Sequence, residues 1–86
     1  LAGRYEEAIA PAKKLLVLNP NFAPAHLQLA SCYAHLGRLE EARAEAAEVM
    51  RLIPNYSLEI ARQSLPIKDP AVLERELDAW RKAGLK

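Results

Sequence analysis

The sequence predicts an all-α protein in which antiparallel helix-turn-helix repeats stack into a superhelix that ends in a C-terminal capping helix. The first observation is an internal repeat. Residues 3–22 align without a gap with residues 37–56 and are identical at ten of twenty positions, which gives a period of 34 residues. Such a period is typical of stacked helical units. The second observation is that apolar residues in both copies recur every three or four positions, as on one face of an α-helix.

The two copies each predict one amphipathic helix, the first ending near Leu18 and the second covering residues 38–53. Gly3 and Gly37 precede these helices and are expected to adopt a left-handed backbone in the preceding turn. A proline follows each helix and stops it. The glutamate pairs near the start of each copy are expected in the first helical turn, where carboxylates interact favourably with unpaired amides. These residues are Glu6, Glu7, Glu40 and Glu41.

A further helix is predicted over residues 24–36, between the two copies. Pro24 stands in its first turn, where proline is tolerated. Apolar residues form two stripes along this segment, so we expect an inner helix that is covered on two sides. The connections to the neighbouring helices are short, which makes consecutive helices antiparallel.

Pro11 falls inside the first predicted helix. A proline in a helix interior removes one backbone hydrogen bond and clashes with the preceding turn, at a cost of about 3 kcal/mol. The sequence therefore predicts a kink between Glu7 and Pro11.

The spacing of the apolar residues changes beyond Tyr56, and the sequence there predicts two further helices. Residues 57–66 form a short degenerate helix that begins at Ser57 and breaks before Pro66. Residues 67–86 form the capping helix. An N-cap residue and a first-turn proline mark its start, and basic residues in the last turn and a glycine mark its end. These are Asp69, Pro70, Arg81, Lys82 and Gly84. Its apolar stripe consists of Leu73, Leu77 and Trp80.

Composition limits the function classes. A chain of 86 residues is expected to form a single domain, residues 1–86, with a modest core. A formal net charge of +1 with interspersed signs gives no basis for a nucleic-acid or anionic-membrane partner. The longest apolar run, residues 15–18, is far below the roughly 20 residues of a membrane helix. Cys32 has no internal disulfide partner, which favours the cytoplasm. Because the chain begins at Leu1 without a leader, we interpret it as a fragment of a longer protein.

The sequence predicts no catalytic residue, no cofactor and no metal site. Cys32 and His35 lie three residues apart on a helix, but two ligands do not complete a zinc site. His26 and His35 are about half a turn out of phase and face opposite sides. The glutamate pairs occur in both copies, so helix-start electrostatics explains them better than acid–base catalysis. Neither a glycine-rich phosphate loop nor a nucleophile motif is present in the sequence.

The complete copy of the repeat resembles the tetratricopeptide repeat family. The family's first helix carries a large residue, then Leu-Gly or Leu-Ala, then Tyr, and these places hold His26, Leu29-Ala30 and Tyr33. The resemblance implies that residues 23–56 form one complete repeat and residues 1–22 the second half of the preceding one. The turn glycine, the small residue at the helix crossing and the closing proline are matched in both copies by Gly3, Gly37, Ala8, Ala42, Pro20 and Pro54.

This resemblance implies a protein-interaction module that holds a peptide or a partner helix in the concave groove of the stacked repeats. Gln28, Ser31 and His35 form a polar stripe outside the apolar stripes of this helix. The polar stripe agrees in part with a groove, and it agrees equally well with an ordinary solvent-facing surface. Arg62 is the only arginine or lysine at the groove positions, which argues against the family's clamp for a C-terminal carboxylate. The implied groove residues are Leu27, Gln28, Ser31, Ala34, His35, Leu58, Ala61, Arg62 and Leu65.

The tail also resembles the C-terminal segment of repeat regions appended to some bacterial class III adenylate or guanylate cyclases. The matching residues are Pro66, Lys68-Asp69-Pro70 and Arg81-Lys82-Ala83-Gly84-Leu85. This resemblance implies an alternative function, a regulatory or oligomerising region of a multidomain enzyme whose active site lies upstream.

A homodimer is a further hypothesis. The first copy lacks its first helix, so the side of the predicted helix that carries Tyr5, Ala8 and Leu15 is expected to be uncovered. Exposed apolar surface of this kind favours self-association. We therefore expect two copies to meet through this side.

Overall fold

The computed structural model describes residues 2–86, and their side chains from Arg4 onward. In this part of the chain five helices follow one another and no strand occurs. They are α1 Ala2–Leu18, α2 Ala23–His35, α3 Leu39–Leu52, α4 Leu58–Ser64 and α5 Pro70–Lys82. The predicted all-α class is confirmed. Among the described residues, no helix has the length and apolarity needed to cross a membrane.

The predicted helix ends agree with the structure from α2 onward. Gly37 and Gly84 adopt the left-handed backbone expected after α2 and α5, with φ of 78° and 104°. Ser57 and Asp69 each accept a hydrogen bond from a backbone amide of the following turn, at 3.2 and 2.9 Å. These contacts satisfy amides that a helix start leaves unpaired, and they fix where α4 and α5 begin.

α1 begins at Ala2, earlier than the repeat predicts. Gly3 therefore lies inside the helix, and the prediction that it forms a left-handed turn is wrong. Glu6 and Glu7 follow the first turn of α1 instead of occupying it, so this prediction is also wrong, whereas the equivalent pair does lie in the first turn of α3. The helix can include Gly3 at low cost, because one glycine in a helix interior lowers the stability by only about 1 kcal/mol relative to alanine.

α1 continues through Pro11 to Leu18. Pro11 is exposed and has no amide hydrogen to donate to the carbonyl of Glu7. The predicted kink between these two residues stays a prediction.

α2 is the central helix of the fold. It packs against α1, α3 and α5, and nine of its thirteen residues are buried. Leu29 and Tyr33 are the largest apolar side chains of this set, with 1% and 2% of their surface exposed. The prediction of an inner helix is confirmed.

α5 packs against α2, α3 and α4. Leu77 has no exposed surface, and Trp80 is almost fully buried. The short α4 packs on α5, where Ala61 is completely covered. The C-terminal helix thus completes the hydrophobic core that α1, α2 and α3 leave open on one side.

Candidate functional site

A cleft of about 420 Å³ opens between the first half of α1, one side of α2 and the middle of α5. The segment that joins α4 to α5 also contributes to its wall. Most of the side chains around it are apolar, and the larger polar ones are Arg4, Gln28 and Glu76. The lining residues are Arg4, Tyr5 and Ala8 of α1, Pro24, Leu27, Gln28, Ser31 and Cys32 of α2, Glu76 and Trp80 of α5, and Leu65 and Ile67.

Trp80 holds α5 against α2 at the wall of the cleft. Its side chain is almost fully buried, and the indole Nε1–H donates a hydrogen bond to the backbone carbonyl oxygen of Leu27 at 2.8 Å. A buried tryptophan normally needs such a partner for its N–H group. Trp80 therefore belongs to the core, as the sequence predicts, and one part of it borders the cleft.

Glu76 of α5 brings polar groups of α2 together. The Ser31 hydroxyl donates a hydrogen bond to the Glu76 carboxylate, and Nε2 of His35 lies 3.8 Å from the same group. The His35 ring also stacks on Tyr5 with 4.1 Å between ring centroids. Burial lowers the pKa of His35, and this effect outweighs the attraction of Glu76, which acts in the opposite direction. A neutral His35 therefore joins α1, α2 and α5.

Cys32 borders the cleft but is almost fully buried. Burial raises the pKa of its thiol, and the nearby charge of Glu76 raises it further. A protonated, covered thiol is a poor nucleophile and a poor metal ligand. In the part of the chain that the structure describes, no three His, Cys, Asp or Glu side chains come together in a way that would hold a metal ion.

The nine predicted groove residues fall into three groups. Four of them line the cleft, namely Leu27, Gln28, Ser31 and Leu65. Two line a separate cavity of about 180 Å³ between α2 and α5, namely Ala34 and His35. Three belong to α4 and line neither space, namely Leu58, Ala61 and Arg62. The structure thus brings four of the nine together at one surface.

α4 presents little free surface at its predicted groove positions. Ala61 has no exposed surface, and Leu58 packs against the core. Arg62 is exposed, but its guanidinium donates a hydrogen bond to the Glu74 carboxylate of α5. The only arginine or lysine at the groove positions is thus already engaged.

Sequence reasoning missed the parts of the cleft that come from α1 and α5. α5 lies on the side of α2 that carries the predicted groove positions, so Ser31 and Ala34 are 5% and 9% exposed. The apolar stripe of α5 signalled a buried helix but not which side of α2 it would cover. Tyr5 and Ala8 were signalled only as part of an uncovered side of α1, and Arg4 was not signalled at all.

A second apolar surface continues from the cleft along α1. Leu15 and Leu18 are 45% and 85% exposed. The positions equivalent to them in the second copy, 34 residues later, are Val49 and Leu52, of which Val49 has no exposed surface and Leu52 is half-buried. This difference agrees with the packing of the two helices, since α3 packs against both α2 and α5, whereas α1 packs against α2 alone among the helices of the described residues.

Comparison with known proteins identifies the family of the repeat. A family model described as tetratricopeptide repeat matches residues 1–62, which include α1, α2, α3 and most of α4. No curated protein and no solved structure matches the chain significantly. α5, which supplies Glu76 and Trp80 to the cleft, lies beyond the matched residues.

Proposed function

The chain belongs to the tetratricopeptide repeat family, whose members typically mediate protein–protein interactions, and we propose that it binds a peptide or a partner helix in the cleft between α1, α2 and α5. The observation that carries the proposal is an apolar opening at the side of the central helix where the repeat pattern places a groove. The proposal assigns the chain no catalytic residue. Its partner is another protein.

The size and lining of the cleft support an apolar anchor on the partner. A volume of about 420 Å³ lies within the range of about 300–1,000 Å³ that is common for ligand pockets. Leu27, Trp80 and Ile67 supply apolar contact surface, and the exposed Gln28 has an amide group with no hydrogen-bond partner among the described residues. An aliphatic or aromatic side chain would fill the cleft while Gln28 binds a main-chain group beside it.

Selection of displayed helical peptides against the chain tests this proposal. Gln28→Trp adds a bulky side chain to the rim of the cleft, and we expect the affinity of selected peptides, measured by fluorescence anisotropy, to fall at least about tenfold. The matched control is Ala44→Trp, because Ala44 is exposed on α3 and does not border the cleft. Equal binding by the two variants, or no selected binder at all, would contradict the proposal.

The uncovered side of α1 is the second surface that we propose for protein contact. Its support is the exposure of Leu15, compared with the complete burial of Val49 at the equivalent position of α3. Exposed apolar surface of this kind favours association, including self-association of the chain.

The cellular setting belongs to the proposal as well. The buried thiol of Cys32 fits a reducing compartment, and we place the module in the cytoplasm. The family match ends at residue 62 and therefore does not include the tail. The resemblance of the tail to the C-terminal repeat region of bacterial nucleotide cyclases supports the alternative function, a regulatory or oligomerising region of a multidomain enzyme. The open reading frame that encodes the chain tests this alternative, since a cyclase domain upstream would support it and any other domain would overturn it.

A further inference from the structure

We propose that the chain binds a side-chain carboxylate of its protein partner, from an Asp or a Glu, in the small cavity between α2 and α5. The inference rests on the proposed function, since the carboxylate belongs to the same partner, and it names a charge that this partner carries. The cavity, here called the polar cavity, is lined by residues of α2 and α5, namely Ala34, His35, Arg75, Asp78, Ala79 and Lys82.

The polar cavity has room for one functional group rather than for a whole ligand. Its volume of about 180 Å³ is below the range of about 300–1,000 Å³ that is common for ligand pockets. The buried Ala34 and Ala79 form its apolar part, and polar or charged side chains supply the rest of its lining. A cavity of this kind suits the end of one polar side chain that a bound partner inserts.

α5 supplies the positive charges that the groove positions of α2 lack. Ala34 and His35 are groove positions of the repeat pattern, and neither carries a permanent charge. Arg75 and Lys82 of α5 place two cations beside them, on a helix that lies beyond the residues matched by the family model. The cationic character of the polar cavity therefore comes from α5 and not from the repeat.

Arg75 and His35 can both donate hydrogen bonds to a partner. Arg75 is exposed and makes no ion pair with any other residue that the structure describes. Its planar guanidinium can donate two parallel hydrogen bonds to one carboxylate. Nε2 of His35 lies 3.8 Å from Glu76, beyond hydrogen-bond distance, so the N–H of the neutral ring remains available.

The charge of the lining matches a single negative charge. Asp78 is the one anion among the described lining residues, and Arg81 and Lys82 already hold it at 3.1 and 3.4 Å. Arg75 and Lys82 against Asp78 leave one net positive charge in the lining. This charge suits a carboxylate better than a phosphate, which carries about −1.5 to −2.

The pKa of His35 reflects the positive charge around the polar cavity. Burial lowers this pKa most, and the charges of Arg75 and Lys82 lower it further, against the opposing effect of Glu76. Both cations therefore lie close enough to the ring to act on it. The Glu76 carboxylate accepts a hydrogen bond from Ser31 and borders the larger cleft, so it does not line the polar cavity.

A capped glutamate, the N-methylamide of N-acetylglutamate, is the first probe. Titrated into the isotope-labelled full chain, it should shift the amide signals of Ala34, His35 and Ala79 in a saturable way. Arg75→Gln should weaken this binding at least about tenfold, because it removes the paired hydrogen bonds and the charge. The matched control is Arg43→Gln, which should leave binding unchanged, because Arg43 is exposed on α3 and does not line the polar cavity. Capped glutamine, which lacks the charge, should give no response.

Asp78→Asn gives a prediction of opposite sign. The Asp78 carboxylate repels an incoming carboxylate and engages Lys82, so its neutral replacement should strengthen the binding of capped glutamate about twofold to fivefold. A lining that serves only to pack α5 against α2 would not produce this gain. Circular dichroism establishes that each variant remains helical.

Peptides selected for the larger cleft connect the two sites. We expect these peptides to carry an Asp or a Glu, whose change to Asn or Gln weakens binding to the original chain about tenfold. The same change should have little effect on binding to Arg75→Gln and its full effect on binding to Arg43→Gln. This double-mutant cycle isolates the contact between the acidic residue and Arg75.

Three results would overturn the inference: no saturable response to capped glutamate, tighter binding of inorganic phosphate than of capped glutamate, or an equal loss in the two arginine variants. None of these affects peptide binding in the larger cleft, which is measured with Gln28→Trp. Selected peptides without coupling to Arg75 would likewise overturn the inference alone. A saturable response to capped glutamate without any selected peptide would instead overturn the proposed function and leave the polar cavity as a carboxylate site.

Discussion

His26 shows how one side chain ties two connections of the repeat together. It is 7% exposed, with Nε2 2.8 Å from the carbonyl oxygen of Pro20 and Nδ1 2.7 Å from Oε1 of Glu45 in α3. Nε2 must donate to the carbonyl, so Nδ1 also donates to the carboxylate only when the ring is protonated. Burial acts to lower the pKa of His26, but the hydrogen bonds to Glu45 and Pro20 outweigh it and raise the pKa above its usual value.

The stability of the fold should therefore fall at alkaline pH through His26. A group whose pKa is raised by folding stabilises the folded state fully below its unfolded pKa of about 6.5, and this stabilisation is lost as the pH rises through the folded pKa. We expect His26→Gln to lower the free energy of unfolding by about 1–3 kcal/mol at pH 6 and by less at pH 9. Urea denaturation across this range measures it.

His35 provides a control, because its contribution to the pH dependence of stability has the opposite sign to that of His26. Folding lowers its pKa, so its contribution is present above about pH 6.5 and is lost as the pH falls through the folded pKa. His35→Gln should therefore reduce the loss of stability in acid, which is the reverse of the effect of His26→Gln. Identical pH profiles for the two variants would contradict the roles assigned to both histidines.

At the scale of the element, α1 is the helix whose sequence is least suited to a continuous helical backbone. Pro11 stands in the interior, where the equivalent residue of α3 is Glu45, and it leaves the carbonyl of Glu7 without its helical partner. The Pro11 side chain is exposed, so its removal costs no packing. The cost of Pro11 to α1 thus comes from the backbone and not from side-chain packing.

Pro11→Ala should stabilise the chain. Restoring the hydrogen bond to Glu7 in a good helix former is expected to raise the free energy of unfolding by about 1–3 kcal/mol. Lys13→Ala on the same helix, also exposed, is the matched control and should change it by less than about 0.5 kcal/mol. Denaturation at low concentration, where the chain is monomeric, measures both, and an absence of any gain would mean that α1 is bent to accommodate the proline.

The helices were predictable where their signals are local. Caps and stops at Gly37, Ser57 and Asp69 act within a few residues, so the bounds of α2, α3 and α4 follow from the sequence to within two residues. The predicted N-cap Asp69 likewise fixes the start of α5, although the predicted range 67–86 is longer than the helix Pro70–Lys82. The start of α1 was not predictable from the repeat, because the residues before Glu6 tolerate a helix. The cleft was predictable only in part, since the place of Trp80 against Leu27 depends on how α5 packs in three dimensions.

At the scale of the whole molecule, the helices are unequally connected. Within the part of the chain that the structure describes, α2 contacts α1, α3 and α5, and α5 contacts α2, α3 and α4, whereas α1 contacts α2 alone among the helices. α2 and α5 are therefore the two elements through which the rest of the fold is joined. An array held together in this way should lose α1 by local opening before it unfolds as a unit.

Hydrogen exchange on a core variant tests this unequal connection. Leu77 is fully buried in α5, and Leu77→Ala is expected to cost about 2–5 kcal/mol of global stability. Amides of α2, α3 and α5 should exchange faster by the corresponding factor, because they exchange through global unfolding, while amides of α1 should change little since they already exchange through local opening. Val72→Ala on the same helix is the control, because Val72 is 39% exposed and its truncation should leave exchange nearly unchanged. Faster exchange in all helices, α1 included, would contradict the prediction and show that α1 opens only when the whole chain unfolds. Faster exchange in α5 alone would also contradict it and show that α5 unfolds separately from the core formed by the other helices.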